Sequence, residues 1–172
     1  RGFLGRMNND LLPFKPTVVT TCYGMNDGGY RPFDENTGKN YEGPMQEIVK
    51  RAKEAGATVV VGSPGCVDSK FFRGGGEAPK MYNPTLAKLR DIAKKVAADN
   101  GMPFANVFDP MVAAMEKGKA AFGEDYDVGG RDGVHPGPNG HLVMAYAFLK
   151  ALGIDGNIGT ITVDAKGAAT AS

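Results

Sequence analysis

"ATVVVGSPG", residues 57–65, decides how the rest of the chain is read. A run of small and β-branched apolar residues closed by Gly-Ser-Pro-Gly reads as a short strand buried on both faces, because a strand with one wet face alternates apolar with polar side chains. Helical patterns flank it. Ahead of it Met45, Ile48, Val49, Ala52 and Ala55 recur at steps of three and four, which predicts a helix from about Pro44 to Ala55, with Pro44 in its first turn and Gly56 just past its end. Behind it Asn83 as N-cap, Pro84 at the first position and the stripe Leu86, Leu89, Ile92, Ala93, Val96 and Ala97 predict a helix over residues 84–100, stopped by Gly101.

The pattern repeats outward. "TVVTTCYG" (residues 17–24) and "FANVFD" (residues 104–109) read as two more buried strands, and Asp109-Pro110 opens a short helix toward Ala121. A last helix is expected from about Asn139 to Leu152, with Leu142, Ala145, Tyr146, Leu149 and Leu152 inward, and "IGTITVD" (residues 158–164) as a further, antiparallel strand. Strands alternating with helices of this length imply right-handed crossovers and a parallel sheet covered on both faces, an α/β chain in three α/β/α layers. In such sheets ligands bind beyond the carboxyl ends of the strands. Those ends are "GMND" (residues 24–27), "SPG" (63–65) and Asp109-Pro110, and the loop before the last helix reaches the same edge. Two long loops, residues 28–42 and 66–82, are expected to project there. They carry Tyr30, Arg31, Phe33 and Tyr41, and Phe71, Phe72, Arg73 and Tyr82, suited to substrate contact or a lid, or else to plain solvated crossings.

Composition narrows the function. The 172 residues are 42% hydrophobic and 23% charged, enough for one domain with a core, and the net charge is +1 with no long basic run, which argues against nucleic acid as a partner. No apolar stretch is long enough for a membrane span. Cys22 and Cys66 are too few for a disulfide framework, although they could form one bridge, so the redox compartment stays open. "RGFLGRMNND" has neither an initiating Met nor the order of a signal peptide, and it enters on a glycine-bearing loop; a segment ahead of Arg1 is expected. The Ala/Gly-rich tail over residues 165–172 reads as the start of a linker or extension.

Both histidines fall in "RDGVHPGPNGH", residues 131–141. An aspartate three residues before a histidine, in a turn, can accept the imidazole Nδ1–H and leave Nε2 free to take a proton, which makes Asp132 and His135 an acid–base pair. The alternative is structural, with Asp132 closing a turn and His135 packing on the last helix. His141, at the helix start, suits packing better than catalysis. Asp132, His135 and His141 could also be metal ligands, but their spacing across Pro-Gly-Pro lacks the i, i+4 geometry of a helical zinc site. In "GMND" the Asn26 amide can donate to an oxyanion and Asp27 can orient the loop, although Asn-Asp-Gly-Gly after a strand is also simply a good turn.

"GMND" at a strand end, followed by "DGVHPGPNGH" and an amphipathic helix, resembles the SGNH/GDSL hydrolases, serine esterases and lipases of flavodoxin-like topology. The resemblance implies that Asn26 donates to the oxyanion hole, that Asp132 and His135 are the acid and base of the triad, and that the second glycine of "GFLG", Gly5, offers a backbone N–H to the oxyanion. It covers residues 1–153 as a hydrolase domain and leaves residues 154–172 as a terminal strand and tail. It requires no metal or organic cofactor, implies ester substrates with short acyl groups, small-molecule or carbohydrate, and suggests an extracytoplasmic location.

One part of the family pattern is missing. The nucleophile of the family sits in a G-D-S block on a first strand, and none of the three serines here, Ser63, Ser69 and Ser172, lies in such a block. Ser63, before Pro64, reads as structural. The serine and the first strands are therefore expected upstream of Arg1, in a segment associating with this one; without them the 17–24 strand would leave an apolar edge unpaired. The competing functions are a non-catalytic ligand-binding module on the same scaffold and a metallohydrolase using the two histidines.

Overall fold

Val59 and Val61 point to one side of the central strand and Val60 and Gly62 to the other, all buried, and this alternation sets the layers of the molecule. The computed structural model describes residues 2–157, 159, 161–163, 167 and 169–171. Three parallel strands, β1 (Val18–Cys22), β2 (Thr58–Gly62) and β3 (Phe104–Ala105), lie in the order β1-β2-β3. Five helices accompany them: α1 (Gly2–Asp10), α2 (Glu35–Glu54), α3 (Glu77–Asn100), α4 (Phe108–Phe122) and α5 (Pro138–Ala151). On the Val59 and Val61 side, Met45, Ile48 and Val49 of α2 and Leu89, Ala93 and Val96 of α3 close an apolar cluster that includes Val19. On the other side α5 crosses β2 and β3. This is the α/β sandwich with a parallel sheet that the strand–helix alternation predicts.

The rotation of α5 differs from the expected one. Leu142 is 73% exposed and Tyr146 61%, and Ala145, Leu149 and Leu152 are exposed as well, while Ala147 is buried and Phe148 and Met144 pack against the core. Two glycines explain the inversion. A methyl group at Gly62 would lie 2.6 Å from the Phe148 ring, and one at Gly140 would lie 2.1 Å from the Val128 carbonyl oxygen. The helix approaches along the face of Gly140, Met144, Ala147 and Phe148, and the apolar stripe of Leu142, Tyr146 and Leu149 is turned outward.

β1 is half-buried rather than buried on both faces. Val19 and Thr21 are covered by the α2 and α3 layer, whereas Val18, Thr20 and Cys22 are exposed. The register pairs Thr20 with Val60 and Cys22 with Gly62, so these exposed side chains lie on the α5 side. α5 stands over the neighbouring strands, and among the described residues nothing covers that face of β1 or pairs with its outer edge.

Element boundaries move for identifiable reasons. α2 begins at Glu35, not Pro44, because Asp34 caps it, its Oδ1 accepting the Thr37 amide at 2.7 Å, and because Gly38 lets the first turns settle against Phe33 and Ile92. Pro44 sits inside the helix, where it removes one backbone hydrogen bond from the preceding turn. α3 begins at Glu77, and Asn83 is not a cap: its amide is spent on the Val67 backbone, accepting from N at 2.8 Å and donating to O at 3.1 Å.

The expected strand over residues 104–109 shrinks to two residues. The fully buried Ser63 Oγ accepts the amides of Val107 at 2.9 Å and Phe108 at 3.1 Å and turns the chain into α4. Near the C-terminus, β4 (Ile161–Val163) and β5 (Ala169–Ala171) pair antiparallel as a separate hairpin, so the strand expected over residues 158–164 is antiparallel but does not join the main sheet.

Ser63 is thus a structural hub at the end of β2. Ser63→Ala leaves two buried amides without an acceptor and is expected to cost about 2–3 kcal/mol, read as a lower urea midpoint with an unchanged slope.

Candidate active site

The loop before α5 is organised by one carboxylate. Asp132 Oδ1 accepts the backbone amides of Val134 and His135, each at 2.9 Å, and Oδ2 lies 2.6 Å from His135 Nδ1. These contacts, led by the His135 amide, hold the Asp132 carboxyl well below the usual carboxylate range, so it is ionised and accepts Nδ1–H. Nε2 is left to face other chemistry. The reading of Asp132 as a turn former and its reading as an orienting acid are therefore compatible, since one oxygen does each.

β1 delivers the second element. Beyond its end Asp27 Oδ2 accepts the Gly24 amide at 2.9 Å and closes the "GMND" turn, so Asp27 orients the loop as its position suggests. Asn26 is exposed, and its Oδ1 accepts the Tyr30 hydroxyl at 2.5 Å, which turns the amide nitrogen away as a donor. The Tyr82 hydroxyl donates to the Met25 carbonyl and braces the same turn from α3.

The two elements meet across a cavity of about 190 Å³ whose lining includes Asn26, His135, Met25, Pro64, Met111 and Met144. It lies beyond the carboxyl ends of β1 and β2, where a parallel sheet places its ligand. Asp109, expected at this edge, is instead on α4, its carboxylate bound by Asn106 at 2.7 Å and by Arg90. The structure brings Asn26, Asp132 and His135 together and does not bring Gly5 to them. Gly5 lies within α1, so the expected glycine-bearing loop is a helix, and Gly5 is absent from the lining of this cavity.

His141 is on α5, its amide donating to the Gly137 carbonyl at 2.9 Å. Among the described residues no three His, Cys, Asp or Glu side chains come together as metal ligands. Ser63 has its hydroxyl committed to backbone partners and no exposure, as its structural reading requires.

The cavity walls were not legible as such in the sequence. Cys22 and Cys66 border it as free thiols rather than a bridge. Cys22 keeps some surface in solvent, but its sulfur is turned onto the Ser63 carbonyl at 3.2 Å, and crowding pushes its pKa up to about 11; burial pushes Cys66 up to about 12. Neither thiol is set up as a thiolate nucleophile. The three methionines, on three separate elements, have no shared spacing that would announce them; the one local signal is that Met25 adjoins Asn26.

The aromatic loops form neither a lid nor plain solvated crossings. Tyr41 and Tyr82 fall in α2 and α3 and are buried, as is Phe72, and Tyr30, Phe72 and Tyr82 stack with ring centroids 5.0 to 5.9 Å apart. These rings are scaffold beneath the "GMND" turn, because each buries apolar area that an exposed lid would leave wet.

Comparison with known proteins agrees with the geometry. An acetylxylan esterase of Geobacillus stearothermophilus is 23% identical over 165 residues, covering 90% of this chain and 68% of its own. In structures of that esterase, replacements of a serine, of an aspartate and of a histidine three residues after the aspartate are described as catalytic mutants; the first superposes with a TM-score of 0.67 at 21% identity, covering 90% of this chain and 68% of that one. A structure described as a GDSL-like lipase from Parabacteroides merdae matches with a TM-score of 0.70 at 22% identity, covering 90% of this chain and 68% of that one. A gut microbial diltiazem-metabolizing enzyme matches with a TM-score of 0.74 at 28% identity, over 98% of this chain but 40% of its own longer one. The model of the GDSL-like lipase/acylhydrolase family matches residues 1–143, and with the Asp132–His135 pair facing Asn26 at the sheet edge, the chain belongs to that family of ester hydrolases.

Proposed function

We propose that this chain carries the acid, the base and an oxyanion donor of a serine esterase acting on short acyl esters, carbohydrate esters among them, and that the seryl nucleophile comes from polypeptide outside these 172 residues. The observation that carries the reading is the Asp132 carboxylate, locked by two amides and 2.6 Å from His135 Nδ1. In the reaction the serine oxygen bonds to the ester carbonyl carbon while His135 Nε2 takes its proton, and Asp132 stabilises the imidazolium. The carbonyl oxygen, now negative, accepts from the Asn26 amide. Collapse breaks the bond to the alcohol oxygen, which leaves with the proton from His135. Water repeats the sequence on the acyl-enzyme and releases the acid.

The substrate class rests on size and kinship. A cavity of about 190 Å³ walled by methionine and proline suits an acetyl-sized group better than a long chain, and the Geobacillus relative is an acetylxylan esterase. Three further facts support an outside nucleophile. Ser63 is committed elsewhere, the outer edge and one face of β1 are open, and the apolar stripe of α5 is bare on the same side of the sheet. Residues 1–153 are then the hydrolase domain, and residues 154–172 a terminal extension.

A fluorophosphonate probe with peptide mapping on the natural gene product tests the assignment, with the label expected on a serine outside residues 1–172. Labelling of Ser63 or Ser69 would overturn it, and an absence of label would favour the binding-module alternative. In that product His135→Ala should lower kcat/KM on p-nitrophenyl acetate by roughly 10³-fold or more and Asn26→Ala by roughly 10²-fold or more, with no loss on chelation. Asp132, with its pKa depressed by folding, contributes loop stability that is complete above about pH 4, the unfolded carboxylate value, and is lost only as pH falls through its lower folded value. A carboxyl-carbon NMR titration should accordingly show no ionisation of Asp132 between about pH 4 and 9.

A further inference from the structure

Asp68 and Lys119 form a buried ion pair that the chemistry above does not use. The Asp68 side chain is fully buried and that of Lys119 is 6% exposed, with Nζ 3.1 Å from Asp68 Oδ1. Charges are rarely buried unless paired, and a pair that is fully desolvated is weak evidence for stability as such, so its retention asks for a job. Asp68 Oδ2, also buried, has no hydrogen-bond partner among the described residues, which leaves Lys119 as the main compensation for the charge.

Both residues touch the loop that bears His135. The Asp68 amide donates to the Gly133 carbonyl at 2.9 Å, inside the Asp132–His135 turn. The Asp68 carboxylate accepts the amides of Lys70 at 2.8 Å and Phe71 at 3.0 Å, folding a tight turn that presses Phe72 under Gly133, where a methyl group would fall 2.2 Å from the Phe72 nitrogen. Gly133, at φ +78°, is shaped to that contact. Lys119 Nζ also donates to the Glu124 carbonyl at 2.7 Å, fastening the segment that leads into the loop from its other side. The Phe71 ring lies between these parts, with the Lys119 ammonium 5.2 Å and the Arg131 guanidinium 5.0 Å from its centroid.

We infer that the Asp68–Lys119 pair is a positioning device for the Asp132–His135 loop: Asp68 shapes the surface on which Gly133 rests, and Lys119, bonded to both the Asp68 carboxylate and the Glu124 carbonyl, ties both flanks of the loop to α4. Calling the loop catalytic rests on the proposed function, but the positioning itself does not.

Hydrogen exchange by NMR on the natural gene product tests it without turnover. The reporters are the Val134 and His135 amides, held by Asp132, and the reference is the Val61 amide, which donates to the Pro103 carbonyl at 2.9 Å in the sheet. Lys119→Met should lower protection at Val134 and His135 at least tenfold with Val61 changed by less than threefold, and should shift the His135 Nδ1 resonance. Asp68→Asn, nearly isosteric and still an acceptor for the turn amides, should do the same if Lys119→Met does not fold. Combining Asp68→Asn with Lys119→Met leaves neither charge unpaired and should restore most of the protection. Unchanged loop protection, or loop and Val61 protection falling in step, would overturn the inference and reduce the pair to a general stabiliser. Failure of fluorophosphonate labelling with the exchange result intact would count against the esterase reading alone.

Discussion

The approach of α5 to the sheet is the constraint on which the site depends. Gly62 and Gly140 each leave a gap that a single methyl group would close, and Phe148 fills the one at Gly62. Close packing of this kind has no slack, since interiors are filled at crystal-like density. It sets both the height and the rotation of α5, and the helix starts at Pro138, three residues after His135. The imidazole is therefore placed by the same sheet-facing side of α5 that carries Met144 into the cavity wall.

From that anchor the site divides its labour between local and long-range contacts. Asp132 organises its own turn with bonds that span two and three residues, a geometry available to a short peptide, and the hydrogen bond with His135 Nδ1 is added at no cost in chain closure. Asn26 is set locally too, by Asp27 and Tyr30. What joins the two turns is tertiary: Tyr82 reaches the Met25 carbonyl from α3, Ser63 sends the chain from β3 into α4 and so places Met111, and Asp68 carries the His135 loop. Catalysis by positioned groups requires such support, because a shift of about 1 Å in a general base costs orders of magnitude in rate.

The open side of β1 and the bare stripe on α5 are two views of one fact. Leu142, Tyr146 and Leu149 repeat at helical spacing and look like a core face, and among the described residues nothing covers them. A contiguous apolar surface next to an unpaired strand edge is uncommon on a self-sufficient domain. Helical periodicity reports which residues share a face; it does not report which of two apolar faces the rest of the protein will reach first, and here the face of Met144, Ala147 and Phe148 meets the sheet.

The strand at residues 57–65, the parallel α/β layering and the pairing of Asp132 with His135 were all legible in the amino-acid order, because each depends on contacts within one element or one turn. Asn26 was legible for the same reason. Pro44 and Asn83 misled, since a proline or a capping side chain marks a helix start only when nothing further away holds the preceding turn, and Gly38 and Val67 do so here. The aromatic loops, read as substrate contact or a lid or else as solvated crossings, supply scaffold rings instead, and Gly5 was read into a loop and lies in a helix. Only the tertiary structure decided the methionine walls of the cavity, the outward stripe of α5 and the Asp68–Lys119 support, because each is a meeting of residues separated along the chain, settled by which surfaces can approach closely enough to exclude water.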